Sequence, residues 1–179
     1  MRHRGAVLTT AICALVVVAD QATKAVVRAK MAPPGTSIPV LGDVLQLTYV
    51  RNLGASFGMM PGYRPLFIAV SACILVAIAA FVVRRRPERP WILVALGLVA
   101  GGALGNLIDR IAFGWVTDFI RIPFDFPVFN VADSSVVIGV AMLVWWLLFG
   151  PATAEPVPSA LPAPSHGSPT GASDPQKAD

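Results

Sequence analysis

Histidine is almost missing from this 179-residue chain, and charge is scarce. The two histidines, His3 and His166, lie in polar ends. With none in the apolar body, a Ser-His-Asp site, an intramembrane Ser-His pair and a His-based metal site are all excluded. The two cysteines, Cys13 and Cys73, fall inside apolar runs without metal-ligand spacing. They read as small packing residues. Charged residues make up 13% of the chain and hydrophobic ones 55%, whereas an ordinary soluble domain carries about 25% charged residues. The profile is that of a polytopic membrane protein. The net charge of +4 is no nucleic-acid signature, because the basic residues sit in short clusters beside apolar runs, a pattern that orients a protein in a bilayer. The apolar body must therefore work with Asp, Asn, Ser, Lys and Arg.

Four apolar runs are present, about 6–27, 66–83, 91–108 and 131–149. At 1.5 Å per residue each is long enough to cross ~30 Å of hydrocarbon. Arg2 and Arg4 before the first run resemble the start of a cleavable signal peptide. The run is long, however, and its far end carries Asp20 and Lys24 instead of a small-residue cleavage site. It reads as a span. Arg2 and Arg4, with the block Arg84, Arg85, Arg86, Glu88 and Arg89, place the N-terminus and the second connection in the cytoplasm. The loop 28–65 and the segment 110–130 then lie outside, and the C-terminus returns to the cytoplasm. The expected organisation is an all-α membrane domain over 1–150, a four-helix bundle, followed by a disordered Pro/Ala/Ser-rich tail over 151–179. In the outer loop, Val44 to Val50 is β-prone with partial alternation, after turns at Pro33-Pro34-Gly35 and Leu41-Gly42-Asp43. It predicts a small sheet on the outer membrane surface. Phe124 to Phe129, with Pro123 and Pro127 around it, is aromatic and turn-like.

Within this frame a few polar residues stand out. Gly97, Gly101 and Gly105 recur every fourth position, which lets another helix approach closely. Asn106, Asp109 and Arg110 follow; Asp109 beside Arg110 reads as a structural ion pair or a helix-end network. Asp20 and Lys24 form an i,i+4 pair with the acid first, suited to a helix salt bridge, although Lys24 could also snorkel to the headgroups. The run Arg51 to Gly58 contains Asn52, both donor and acceptor, among small residues such as Gly54 and Ser56.

Asp118 and Asp133 carry the most information. An ionisable residue at the membrane is costly and by default marks function. The intervening segment contains two prolines and must turn back, which would bring the two carboxyls together at the outer mouth of the third and fourth spans. Close together, both cannot ionise readily, so the pair shares a proton. That is what an aspartic protease needs: one carboxylate activates a water while the other, protonated, polarises the scissile carbonyl. Asp133 could instead cap the fourth helix. Asp118, flanked by apolar residues, has no such alternative.

Four motifs together resemble bacterial lipoprotein signal peptidase, signal peptidase II: Val50 to Gly58, Gly101 to Arg110, Val116-Thr117-Asp118-Phe119 and Phe129-Asn130-Val131-Ala132-Asp133. They occur in the expected order across about 6–149. The resemblance implies an aspartic endopeptidase of the bacterial inner (plasma) membrane, acting at its extracytoplasmic face. It would remove signal peptides from prolipoproteins on the amino side of a diacylglyceryl-modified cysteine. It implies Asp118 and Asp133 as the catalytic dyad, supported by Asp20, Lys24, Asn52, Gly54, Asn106, Asp109, Arg110, Asn130 and Ala132. It also implies an outer β-cradle and a short helix or loop over the site. The partners would be lipid-modified precursors and membrane lipids, with no nucleic acid, no metal or organic cofactor, and a monomeric enzyme. Ser56 departs from the family's usual small residue, and the tail lies outside the shared pattern. Two other readings compete: a Ser-Lys hydrolase using Ser56 and Lys24, which the charge of Asp20 beside Lys24 opposes, and a non-enzymatic scaffold or transporter component, which the lack of an internal repeat disfavours.

Overall fold

The computed structural model describes residues 4–42, 44–54, 63–123 and 126–150. The tail expected over 151–179, Arg2, and Ser56 with its neighbours lie outside the described residues, as does the start of the Phe124 stretch. Among the described residues there are four long helices: α1 (Arg4–Lys30), α2 (Arg64–Arg85), α3 (Pro90–Ala112) and α4 (Val131–Phe149). All four are long and apolar enough to cross a membrane. The first three extend a few residues beyond the apolar runs, because hydrogen bonding and caps, not hydropathy, set where a helix ends. Proline falls within the first turn of α2 (Pro65) and opens α3 (Pro90), where its missing N–H would be unpaired anyway. α2 stops where Arg86 turns left-handed at φ 47° and its N–H reaches the Val82 carbonyl.

α3 is the axis of the bundle. Of its most apolar window 61% is buried, against 11% to 17% in the other three helices. The glycines explain how. A Cβ on Gly97 would lie 2.7 Å from Ile12 Cβ, and one on Gly101 2.6 Å from Val16 Cβ, both on α1. Gly105 faces the Asp20 carboxylate, while Gly102 faces the Ala132 backbone of α4. The glycine stripe thus lets α1 lie against α3, and it carries Asp20 into the interior. The outward faces stay apolar, with Leu15, Val18, Val76, Val137 and Leu147 exposed, as suits helices whose solvent is lipid.

At one end sits a three-stranded antiparallel sheet in the order β1 (Ser37–Leu41), β2 (Leu45–Asn52), β3 (Val116–Arg121). β2 is the strand expected from Val44 to Val50, extended to Asn52. β3, part of the segment 110–130, was legible only as a connection. Phe119 of β3, Tyr49 of β2, Val27 of α1 and Met31 just after it form a small apolar core that seats the sheet on the bundle.

Candidate active site

The sheet register delivers Asp118. It lies opposite Val50, and Asn52 is two residues further along β2, on the same face of the sheet. Asn52 Nδ2 accordingly donates to Asp118 Oδ2 at 2.9 Å. The Asn52 amide is itself held the right way round, because its Oδ1 accepts the Gly54 N–H at 3.0 Å.

After β3 the chain turns back. Phe129 pairs with Ile120 through an isolated antiparallel bridge, with Phe129 N–H to Ile120 O at 3.0 Å and Ile120 N–H to Phe129 O at 2.8 Å. This pins the return and sets Asn130 beside Asp118 as the N-cap of α4. Asp133 occupies the third helical position. The two form a reciprocal cap: Asp133 N–H donates to Asn130 Oδ1 at 2.9 Å, and Asn130 N–H to Asp133 Oδ2 at 3.1 Å. The capping alternative for Asp133 is therefore real, but it uses one carboxylate oxygen and leaves the group at the junction of sheet and helix. Asn130 Nδ2 also donates to Asp118 Oδ1 at 2.6 Å. One buried asparagine thus touches both aspartates.

Beneath them lies a buried polar network. Asn106 Nδ2 donates to Asp133 Oδ1 at 2.7 Å, while Asn106 Oδ1 accepts from Lys24 Nζ at 2.8 Å and from Asn130 Nδ2 at 3.2 Å. Lys24 lies 2.8 Å from Asp20 Oδ2 and 3.5 Å from Asp109 Oδ2, and all three side chains are fully buried. Asp20 Oδ1 accepts the Ala132 N–H at 3.0 Å, and Asp109 Oδ2 accepts the Thr117 N–H at 2.8 Å. The two acids therefore tie α1 and α3 to the strand and helix that carry Asp118 and Asp133.

Burial pushes the Asp118 carboxyl up to about 7, and the nearby charge of Asp133 adds to this; the Asn52 and Asn130 amides and Lys24 oppose it. A carboxyl so placed holds a proton near neutrality and can act as an acid.

All nine supporting residues fall in or around this constellation, in different ways. Lys24, Asn52, Asn106 and Asn130 touch one another or the aspartates directly. Asp20, Asp109, Gly54 and Ala132 act one step away, two of them through backbone N–H groups. Arg110 stands apart: its guanidinium lies over the Phe67 ring, 5.2 Å from the centroid, and reaches the Asn106 carbonyl at 3.5 Å. The ion pair considered between Asp109 and Arg110 is not formed among the described residues; Asp109 pairs with Lys24 and Arg28 instead. Neighbours on a helix point about 100° apart, so the partners come from α1. Lys24 does not snorkel, being enclosed by these acceptors.

Sequence reading missed three participants. Arg28 reaches Thr117 Oγ1 at 3.1 Å and Asp109 Oδ1 at 3.5 Å, and its guanidinium covers the Phe113 ring. Its spacing four residues after Lys24 was the available signal, obscured by ending the first span at residue 27. Gln21 Nε2 donates to the Gly105 carbonyl at 3.0 Å, to Asp20 at 3.1 Å and to Asp109 at 3.2 Å. Thr117, fully buried, gives its backbone N–H to Asp109 and accepts from Arg28 at its hydroxyl; it stands in the motif around Asp118, with no role of its own marked there. Among the described residues no three His, Cys, Asp or Glu side chains are placed to hold a metal ion.

Comparison with known proteins agrees across sequence and structure. A family model described as signal peptidase (SPase) II matches residues 12–149. A lipoprotein signal peptidase of Pelotomaculum thermopropionicum is 45% identical over 137 residues, 76% of this chain and 89% of its own. One of Mycobacterium avium is 41% identical over 149 residues, 80% of each chain. A bacterial membrane enzyme solved by the in meso method at 2.3 Å resolution superposes with a TM-score of 0.76 at 36% identity, over 83% of this chain and 92% of that one. A second such structure, at 1.9 Å, gives 0.72 at 38% identity, over 79% and 92%.

Proposed function

The chain belongs to the signal peptidase II family, and on that premise we propose that it is an aspartic endopeptidase that removes signal peptides from diacylglyceryl-modified prolipoproteins, cutting on the amino side of the lipidated cysteine. The dyad is Asp118 and Asp133. One carboxylate takes a proton from a water, whose oxygen attacks the scissile carbonyl; the other, protonated, donates to the carbonyl oxygen as charge develops there. Collapse of the tetrahedral intermediate passes a proton to the leaving amine and breaks the C–N bond.

The observation that carries this reading is Asn130, whose side chain and backbone hydrogen-bond both aspartates at once. The raised Asp118 carboxyl supports the shared proton. The peptidase is a bacterial membrane protein with its site at the sheet end of the bundle. We place that end outside, because the arginine-rich connection Arg84 to Arg89 lies at the other end, beside the start of α1, where a Cβ on Gly5 would meet the Pro87 carbonyl at 3.2 Å. The substrate's acyl chains and apolar signal helix then stay in lipid while the scissile bond meets the dyad at the surface. The catalytic unit is 1–150, acting as a monomer. A Ser-Lys reading is disfavoured, since Lys24 is committed to Asp20 and Asn106.

Purified Asp118→Asn and Asp133→Asn proteins, reconstituted with a diacylglyceryl-modified precursor peptide, are expected to insert normally and to leave the precursor uncut. Cleavage retained in either one refutes the dyad.

A further inference from the structure

Lys24 is a fully buried cation that touches neither aspartate of the dyad, and neutralising Asp20 and Asp109 does not exhaust its role. Asp109 already receives the Thr117 N–H, Gln21 and Arg28. Asp20 already receives the Ala132 N–H and Gln21. The third acceptor, Asn106 Oδ1, lies at 2.8 Å, as close as the Asp20 oxygen. Its other donor, Asn130 Nδ2, is longer at 3.2 Å and is shared with Asp118.

An ammonium has three donors and no acceptor. It therefore decides which end of the Asn106 amide faces it. A half-turn of that amide would set its NH2 against both the Lys24 ammonium and the Asn130 NH2, three donor groups with no acceptor among them. With the carbonyl held toward Lys24, the Asn106 NH2 must face Asp133 Oδ1, where it meets an acceptor at 2.7 Å. The other Asp133 oxygen faces the Asn130 backbone N–H, which cannot turn at all. Both oxygens of Asp133 are thus met by donors, as are those of Asp118 by the Asn52 and Asn130 amides; what sets Asp133 apart is its place in the first turn of α4, where the helix dipole favours negative charge, and its link to a cation through Asn106. A protonated Asp133 would be a weaker acceptor for its two donors, so the amide orientation that Lys24 holds favours the carboxylate form.

We propose that Lys24 is a positioning residue that, by fixing the Asn106 amide, keeps Asp133 ionised as the base that takes the water's proton and leaves Asp118 as the protonated partner that donates to the scissile carbonyl. This rests on the dyad reading above. The charged groups around the pair are Asp20, Lys24 and Arg28 from α1 and Asp109 and Arg110 from α3. Arg51 from β2 is turned onto the Trp115 ring, 4.5 Å from its centroid, and Arg64 from α2 onto the Ile111 carbonyl. Of these, Lys24 alone contacts the amide that donates to Asp133 through a side chain.

The test is kcat and KM against pH, with the full chain in lipid nanodiscs and a diacylglyceryl-modified precursor peptide. Lys24→Met is expected to lower kcat roughly 10- to 100-fold, the worth of a hydrogen bond to a charged group, with KM changed by less than about twofold. The pH optimum moves upward, because the variant loses a cation that favours both carboxylates. In an Asn106→Ala background the same substitution is expected to lower kcat by less than about threefold, since its route to Asp133 is already cut. If Lys24→Met fails to fold, Asp20→Asn combined with Lys24→Met removes one anion and one cation together and is expected to show the same shift. Effects that multiply fully with Asn106→Ala, or a kcat loss with an unmoved pH optimum, overturn the proposal while the dyad stands. Activity surviving in Asp118→Asn or Asp133→Asn overturns the dyad itself.

Discussion

Asp118→Asn is expected to inactivate the protein and yet make it more stable at alkaline pH. Asp118 is 2% exposed, and its carboxyl is raised from 3.8 to about 7. A group whose folded value is raised contributes stability that is fully present below the unfolded value. That stability is lost as pH rises through the folded one. The unfolded carboxyl ionises near 3.8 and the folded one resists until about 7, so the window is that interval. The difference of about 3 units, at 1.36 kcal/mol each, is a loss of about 4 kcal/mol between its two ends. The carboxamide has no such titration. It does have one oxygen fewer, so either the Asn52 or the Asn130 amide loses its acceptor, at about 1–3 kcal/mol. The variant should therefore be less stable than the parent by about 1–3 kcal/mol at pH ~4, and more stable by a similar amount above pH ~7. Reversible unfolding in mixed micelles, followed by tryptophan fluorescence from pH ~4 to ~8, gives both curves. If the gap between them stays constant within about 1 kcal/mol over that range, Asp118 does not hold the proton and the account of its environment is wrong.

Two further outcomes follow from the same geometry. Precursor cleavage should decline as pH rises through about 7, where Asp118 loses the proton it is to donate; an activity profile still climbing well above that point contradicts the acid role. A methyl on Gly102 would press on the Ala132 carbonyl and lie 2.7 Å from Val136 Cγ2, at the turn of α4 that carries Asp133, whereas one on Gly97 meets Ile12 and the Thr9 carbonyl, far from the site. Gly102→Ala and Gly97→Ala should each destabilise by about 1–3 kcal/mol, with Gly102→Ala losing much more activity per unit of stability; equal activity losses would show that the first turn of α4 tolerates displacement.

The four spans were legible because lipid imposes one demand, a long apolar run, and the chain meets it four times. The Asp20–Lys24 bridge was legible because four-residue spacing is a local rule. β3 was not. Val116 to Arg121 is short, with only β-branched and aromatic character to mark it, and becomes a strand by pairing with β2, more than sixty residues earlier in the chain. The fate of Asp109 was hidden for a related reason. Adjacency to Arg110 suggested a partner, but a helix turns neighbours apart, and the true partners come from α1 across the glycine stripe. The capping and dyad readings of Asp133 looked exclusive in sequence; a carboxylate has two oxygens, and the fold uses one for the cap and the other for the Asn106 amide.

The glycine stripe and the buried charges are one device. Small residues on α3 would by themselves be ordinary helix packing, and Asp20 with Lys24 would by themselves be an ordinary helix salt bridge. Close approach at Gly101 and Gly105 seals that bridge at 0% exposure. Sealed charges have few alternative partners, so each donor is committed: Lys24 to Asn106, the Ala132 N–H to Asp20, the Thr117 N–H to Asp109. Those commitments fix β3 and the first turn of α4 against the bundle, and with them Asp118 and Asp133. Widening the α1–α3 contact would let water reach Lys24, weaken its hold on Asn106 and loosen the pair above it. Bulk added at Gly105, where a Cβ would lie 3.1 Å from the Asp20 carboxyl carbon and 3.3 Å from Ala132 Cβ, should therefore harm cleavage by way of Lys24 and of the first turn of α4, although it touches neither aspartate of the pair.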